Sequence, residues 1–466
     1  MKRFATGICL LLCIVATSFA QDAKYVFYFI GDGMGVNQIN GTEQYLAELE
    51  GRIGIKPLLF TQFPHYTVAT TYSATNGVTD SSASGTALAT GKKTKNGVVG
   101  VLKDSETPVN SVAVWAKKKG VRVGVSTSVC IDHATPAAFY AHQPQRRMYY
   151  EIANDLLVSD FDYFGGSDFL YPTGKKGDQP DLYELFKKAG YTIYRGMPAF
   201  EKGKKRDRVI LFQPEGKIKN CLPYAIDRQP DDLTLPEIVK AGIECLNNKK
   251  GFFFMVEGGK IDWACHDNDA ATAFQEVVDF DNAIRVAYEF YEQHPKETLI
   301  VITADHETGG FVLGNFNKYD LNLKALASQK KSLTELSNRV NKLRKENPGA
   351  VTWEMIQQVF REDLGFWGEI QLTEAQEKRL KAVYEETFLS DDVKMKENEY
   401  SENEPVAAAA KEILNDIALV GWRTGGHSSG YTPVIAIGAG SELFEGRTDN
   451  AEIPLKIAKA AGYTAE

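Results

Sequence analysis

Short apolar runs rich in Val, Ile and Phe recur along the chain at 25–30, 122–127, 208–212, 252–256, 298–303 and 434–437. Each is bounded by glycine or polar turn residues, the pattern of a strand buried on both faces. Between them lie stretches of helical periodicity, such as 236–246 and 270–292. This alternation predicts an α/β fold, a mostly parallel central sheet with helices on both faces. Ligands in such folds gather beyond the carboxyl ends of the strands. Asp32, Glu257 and the pair Asp305–His306 stand at three predicted strand exits, so three acidic groups are expected to meet in one place.

One segment, about 318–404, breaks the rhythm. It is rich in Lys and Glu and has no buried strand pattern, and within it 321–344 and 372–388 space their leucines as amphipathic helices do. It predicts an inserted helical subdomain, either a stable surface outgrowth or a crown over the mouth of a site. At the other end, Lys2 and Arg3 precede an apolar run from 4 to 16 and then Thr17-Ser18-Phe19-Ala20. A basic start, a short apolar core and small residues at the last and third-last positions predict a secretory signal peptide cut after about Ala20. The run falls short of the ~20 residues a membrane anchor needs. A lipid anchor on Cys13 would want a small residue where Leu12 stands. The expected plan is therefore a leader at 1–20 and one catalytic domain at 21–466 carrying the insertion. The expected location is secreted or periplasmic, without a stable membrane anchor.

Charge narrows the partners. The formal net charge is −8 and no basic patch stands out, which argues against nucleic acid as a partner. Anionic substrates stay open, because bound metal ions reverse a local field. Four cysteines lie beyond the leader, Cys130, Cys221, Cys245 and Cys265. They are too few for a disulfide scaffold, and both one or two bridges and buried free thiols fit an exported chain.

Three histidines sit in settings that suit a metal. His266 lies four residues after Asp262, His306 follows Asp305, and His427 follows Gly425-Gly426. Zinc favours this mix of imidazole nitrogen and carboxylate oxygen. The segment Thr79-Asp80-Ser81-Ser82-Ala83-Ser84 reads as a helix start with Asp80 near the N-cap. Ser81 would then face a helix N-terminus, where phosphate is favoured. Taken alone, the segment reads as a plain capped helix.

Five motifs and a final histidine, in this order, give the chain a family likeness. They are Phe29-Ile30-Gly31-Asp32-Gly33-Met34-Gly35, then Thr79-Asp80-Ser81, then His133-Ala134-Thr135-Pro136 running on to Arg146. Val256-Glu257-Gly258-Gly259-Lys260-Ile261-Asp262-Trp263-Ala264-Cys265-His266 and Thr303-Ala304-Asp305-His306-Glu307-Thr308-Gly309-Gly310 follow, and His427 ends the series. From about 25 to 315, and again from about 405 to 440, the chain resembles the alkaline phosphatase family.

The resemblance implies a phosphomonoesterase with two zinc ions and one magnesium ion. Ser81 would be the nucleophile that becomes phosphorylated, with Ser82 and Ser84 matching by chemistry but not by position. Asp262, His266 and His427 would hold the first zinc. Asp32, Asp305, His306 and the Ser81 oxygen would hold the second. Asp32, Thr135 and Glu257 would hold magnesium. Arg146 would grip substrate phosphate, with Arg147 the adjacent alternative. His133 and Trp263 would line the substrate at positions that vary in the family, where other members carry Asp and Lys or His respectively. A lysine at 263 would offer charge to phosphate through water, whereas Trp263 offers an aromatic wall and one N–H donor. Small phosphate monoesters are the expected substrates, over a broad range, and a homodimer is expected by family analogy. Two rival readings are a diesterase of the same superfamily and a periplasmic phosphate- or metal-binding protein. A sulfatase would need a Pro- and Arg-containing modification motif around Ser81, and none is there.

Overall fold

The computed structural model describes residues 22–316, 318–389 and 394–465, so the leader assigned to 1–20 lies outside the described residues. Ten strands form one sheet: β1 Tyr25–Ile30, β2 His65–Thr70, β3 Arg122–Thr127, β4 Tyr163–Gly166, β5 Thr192–Arg195, β6 Val209–Phe212, β7 Phe252–Glu257, β8 Thr298–Thr303, β9 Thr432–Gly438 and β10 Thr448–Asp449. Their spatial order is β10-β2-β9-β8-β1-β7-β3-β4-β6-β5. Only β9 runs antiparallel to its neighbours β2 and β8, so the sheet is mixed but mostly parallel.

The continuous apolar runs follow from position. All six residues of β1 are buried, as are all six of β7 and of β8. Strands covered on both faces have no solvated side on which to alternate. Each large apolar side chain so buried contributes about 1.5–3 kcal/mol. The helices Leu235–Leu246 and Ala270–Gln293 cover one face through Ile238, Phe280 and Ile284. Val112–Lys119, Tyr149–Ser159 and Ile453–Ala461 cover the other through Trp115, Leu156 and Ile457.

Register then sets the site. Ile30 lies opposite Glu257 on one side and Thr303 on the other, and Thr127 also lies opposite Glu257. Four parallel strands therefore end level. Asp32, Glu257 and Asp305, leaving β1, β7 and β8, start from adjacent points.

Within 318–404 the described residues form a 3-10 helix, Leu323–Ser328, and three α-helices, Leu333–Glu346, Trp353–Leu364 and Glu374–Phe388. Leu336, Val340, Phe360 and Leu380 pack with Val406 and Ile413 of the Pro405–Ala418 helix into a third apolar cluster. A short hairpin follows, in which Lys396–Glu397 pairs with Glu402–Asn403. The four cysteines are buried free thiols. Among the described residues no helix is long and apolar enough to cross a membrane.

Candidate active site

Ser81 opens the helix Ser81–Thr90, and Asp80 is its N-cap, accepting from the Ala83 amide at 2.9 Å. The three neighbouring serines separate by their partners. Ser82 Oγ donates to Asp80 Oδ2 at 2.7 Å. Ser84 Oγ donates to the Asp305 carbonyl at 2.5 Å and accepts from Asn450 at 2.8 Å. Ser81 Oγ instead sits 3.2 Å from His306 Nε2. Two of the hydroxyls serve the local fold, and that of Ser81 faces the polar cluster.

Asp262 and His266 share one face of the helix Lys260–His266, four residues apart, with His266 Nε2 3.2 Å from Asp262 Oδ2. His266 Nδ1 meets the Gly425 carbonyl at 2.6 Å, and His427 Nδ1 meets the Thr79 carbonyl at 2.8 Å. A carbonyl only accepts, so each Nδ1 carries the proton and each Nε2 offers a lone pair. Those two Nε2 atoms lie 3.2 Å apart, and His427 Nε2 is 3.8 Å from Asp262 Oδ1. Two lone pairs and a carboxylate converge on one point, which suits a cation.

Asp32 Oδ1 and Asp305 Oδ2 lie 3.3 and 3.1 Å from His306 Nε2. Thr135 Oγ1 donates to Asp32 Oδ2 at 3.3 Å, and Thr127 Oγ1 donates to Glu257. Ligand-capable atoms fall into three groups within 4.8 Å: Asp262, His266 and His427; Asp32, Asp262 and His306; and Asp32, His133 and Glu257. Asp262 thus belongs to two of the three groups, the first and the second. His133, read from sequence as a substrate residue, stands beside Asp32 and Glu257.

The electrostatics agree with missing positive charge. Asp32 Oδ1, Glu257 Oε1, Asp262 Oδ2 and Asp305 Oδ2 are buried with no hydrogen-bond donor among the described residues, and His133 Nδ1 is buried without a partner. Such atoms are costly unless something satisfies them. Burial, reinforced by Asp305 and Asp262, pushes the Asp32 carboxyl well above its ordinary range. Burial also raises Glu257. Burial disfavours charge on His266, but Asp262 outweighs it and lifts that imidazole to about 9, so its Nε2 offers a lone pair only when a bound cation displaces the proton. Burial and the nearby His306 lower His427 to about 4. Burial and Arg146 lower His133 to about 3. A set of buried carboxylates and acceptor imidazoles of this kind fits divalent metal ions.

Of the three glycines in the turn at 31–35, Gly33 alone has a positive φ. Gly33 has φ +73°, and a Cβ there would lie 2.8 Å from Asp262 Cα. Its amide donates to Asp305 Oδ1 at 3.2 Å. Only a residue without a side chain lets β1's exit pass this close to the Asp262 helix.

Arg146 is buried and Arg147 exposed, which separates the two arginines. Arg146 Nη1 is 3.4 Å from Asp80 Oδ2, and Arg146 Nη2 donates to the Tyr400 hydroxyl at 3.0 Å. Tyr400 stacks on Trp263, with centroids 4.6 Å apart and planes 10° apart. Trp263 Nε1 is buried with no hydrogen-bond partner among the described residues. Two cavities of about 410 and 360 Å³ meet at Arg146 and open beside Glu399. Motif reading missed Tyr400 and Thr127. The clue to Tyr400 was there: it is the one aromatic residue in the polar run 396–404. Segment 318–404, for which the sequence left outgrowth and crown both open, delivers this side chain to the cleft.

Comparison with known proteins agrees with this geometry. The alkaline phosphatase family model matches residues 23–463. Alkaline phosphatase 3 of Bacillus subtilis (strain 168) is 33% identical over 451 residues, covering 95% of this chain and 90% of the relative. The crystal structure of a cold-active alkaline phosphatase from the psychrophile Shewanella sp. aligns with TM-score 0.78 at 30% identity, covering 94% of this chain and 99% of that one. A TAB5 alkaline phosphatase, a histidine-to-aspartate mutant with Mg bound in its M3 site, aligns with TM-score 0.65 at 27% identity, covering 96% and 99%. This chain belongs to the alkaline phosphatase family of metal-dependent phosphomonoester hydrolases.

Proposed function

We propose that this enzyme hydrolyses a broad range of small phosphate monoesters through a phosphoserine on Ser81, at a site built for two zinc ions and one magnesium ion. The observation that carries the reading is the placement of Ser81 Oγ, 3.2 Å from His306 Nε2 and among unpaired buried carboxylate oxygens. Asp262, His266 and His427 would hold one zinc, and Asp32, Asp305 and His306, with Ser81, the other. Asp32, Thr135 and Glu257 would hold magnesium. His133 adds a nitrogen to that third group, a donor that zinc accepts more readily than magnesium does. A TAB5 alkaline phosphatase mutant with aspartate in place of a histidine has Mg bound in its M3 site.

When bound, the metals would supply Lewis acidity, lowering the Ser81 pKa and neutralising phosphate and leaving-oxygen charge. The chain's own groups do the positioning. Arg146 offers a planar fork to two phosphate oxygens. The N-terminus of the Ser81–Thr90 helix favours the anion beside Ser81. Ser81 Oγ gives its proton to water and attacks phosphorus in line, the Oγ–P bond forming as the bond to the leaving alkoxide breaks, and the alkoxide takes a proton from water to depart as the alcohol. Water then attacks the phosphoserine from the vacated side, releasing inorganic phosphate and restoring Ser81. The cavities at Arg146 leave room for varied alcohols, and Trp263 closes one wall without adding charge.

We also infer export, on the sequence of residues 1–20, and a homodimer, by analogy within the family. Activity is tested by stripping purified enzyme with chelator, restoring zinc and magnesium, and comparing aryl monoester with aryl diester. Restored hydrolysis with the monoester strongly preferred supports the reading. A preference for the diester, or full activity without metal, overturns it.

A further inference from the structure

We propose that Tyr400 is a positioning residue for Arg146, and that Asp267 holds Tyr400 in place; this rests on the reading of Arg146 as the phosphate grip. A guanidinium binds two phosphate oxygens well only if its plane is fixed before substrate arrives. Arg146 has three partners within 3.5 Å: Asp80 on Nη1, and on Nη2 the Tyr400 hydroxyl and, at 3.5 Å, His133 Nε2. Asp80 lies at 3.4 Å, and its carboxylate is already engaged by Ala83, Ser82 and Gly97. The Tyr400 hydroxyl, at 3.0 Å, is the shortest contact. Glu399 is 3.8 Å from Nη1 but a third exposed, so solvent weakens that pairing.

Tyr400 cannot move independently of the metal-binding residues. Its ring is stacked on Trp263 and stands edge-on to His266 at 5.1 Å. It sits at the tip of the hairpin that joins Lys396–Glu397 to Glu402–Asn403. Asp267 ties that tip down: its Oδ1 accepts from Asn398 Nδ2, Ser401 Oγ and Asn403 Nδ2, each at 2.6 Å. Asn398 Oδ1 in turn accepts the backbone amides of Tyr400 and Ser401 at 2.8 and 2.9 Å. Asp267 is buried and follows His266 directly. One turn of chain therefore places a histidine of the first metal group and the residue that fixes the arginine's partner. Through Asp267, the helical segment's hairpin becomes part of the phosphate grip.

The test is a double-mutant cycle on the metal-loaded enzyme. Tyr400→Phe keeps the stack on Trp263 and removes only the hydroxyl. It is expected to weaken inhibition by inorganic phosphate and to lower kcat/KM for an aryl phosphate by about tenfold, with bound metal unchanged. In an Arg146→Ala background the same change is expected to alter neither by more than about twofold, because its effect passes through the arginine. Asp267→Ala should reproduce the loss, and adding Tyr400→Phe to it should lose little more. If Asp267→Ala does not fold, Asp267→Asn takes its place. Equal losses from Tyr400→Phe with and without Arg146, or no loss in either background, overturn the proposal. If wild-type enzyme hydrolyses no monoester, or if Arg146→Ala matches wild type, the functional reading fails and takes the proposal with it. Hydrolysis that needs Arg146 but ignores Tyr400 overturns the proposal alone.

Discussion

The Nε2 atoms of His266 and His427 face each other at 3.2 Å, while both Nδ1 atoms are committed to backbone carbonyls. Neither ring can turn to relieve this without losing a buried hydrogen bond. The arrangement is repulsive unless a proton or a cation lies between them, and the Asp262 carboxylate beside them favours positive charge there.

Removing metal should therefore destabilise the fold as well as stop catalysis. A ligand present at about 1,000 times its Kd stabilises by about 4 kcal/mol. Chelation should lower Tm by several degrees, and zinc plus magnesium should restore it along with activity. Differential scanning calorimetry of the same sample before and after chelation checks this; an unchanged Tm would contradict it.

His427→Ala would remove one of the three proposed ligands of the first group. Zinc affinity there should fall by more than the roughly 10–100-fold seen when only an outer-shell partner is lost. Metal analysis after dialysis against a zinc buffer reads the result, and retention of wild-type zinc at that affinity would count against the assignment.

His133→Asp replaces a nitrogen donor beside Asp32 and Glu257 with an oxygen donor. Magnesium prefers oxygen ligands, so the variant should reach full activity at lower magnesium concentration than wild type. Titrating magnesium into zinc-loaded enzyme measures this directly. No change in the half-saturating concentration would place His133 outside the metal shell.

Gly33→Ala should cost about 2 kcal/mol or more. A Cβ would sit 2.8 Å from Asp262 Cα and 2.9 Å from Asp262 Oδ1, on a backbone with φ +73°. Both Tm and zinc content are expected to fall, because the crowded atoms belong to Asp262, a proposed zinc ligand. A variant with wild-type Tm would mean that the turn at 31–35 can relax freely.

Much of the sheet was legible because its central strands are buried on both faces. The runs at 25–30, 122–127 and 298–303 coincide with β1, β3 and β8. The strands that escaped notice are short or half-exposed: β4 is four residues with two glycines, and all four residues of β5 are partly exposed. Periodicity needs more residues than those strands contain. Likewise, motifs brought Asp262, His266 and His427 together on paper. They could not place His133 against Glu257, because that contact depends on how β3 and β7 are paired and on the turn that follows β3. Tyr400 escaped for a further reason: its partner Arg146 lies 254 residues away in the chain.

The central claim is that Ser81, and neither of its serine neighbours, carries the phosphoryl group. Metal-loaded enzyme is mixed with an aryl phosphate at acidic pH, where the covalent intermediate should persist longest, then quenched in acid and digested for tandem mass spectrometry. One phosphoryl group on Ser81 is the predicted result. Ser81→Ala should lose the label and about a thousandfold or more of kcat/KM while keeping its metals. Phosphate found on Ser82 or Ser84, or steady turnover by the Ser81→Ala variant at the wild-type rate, would contradict the account.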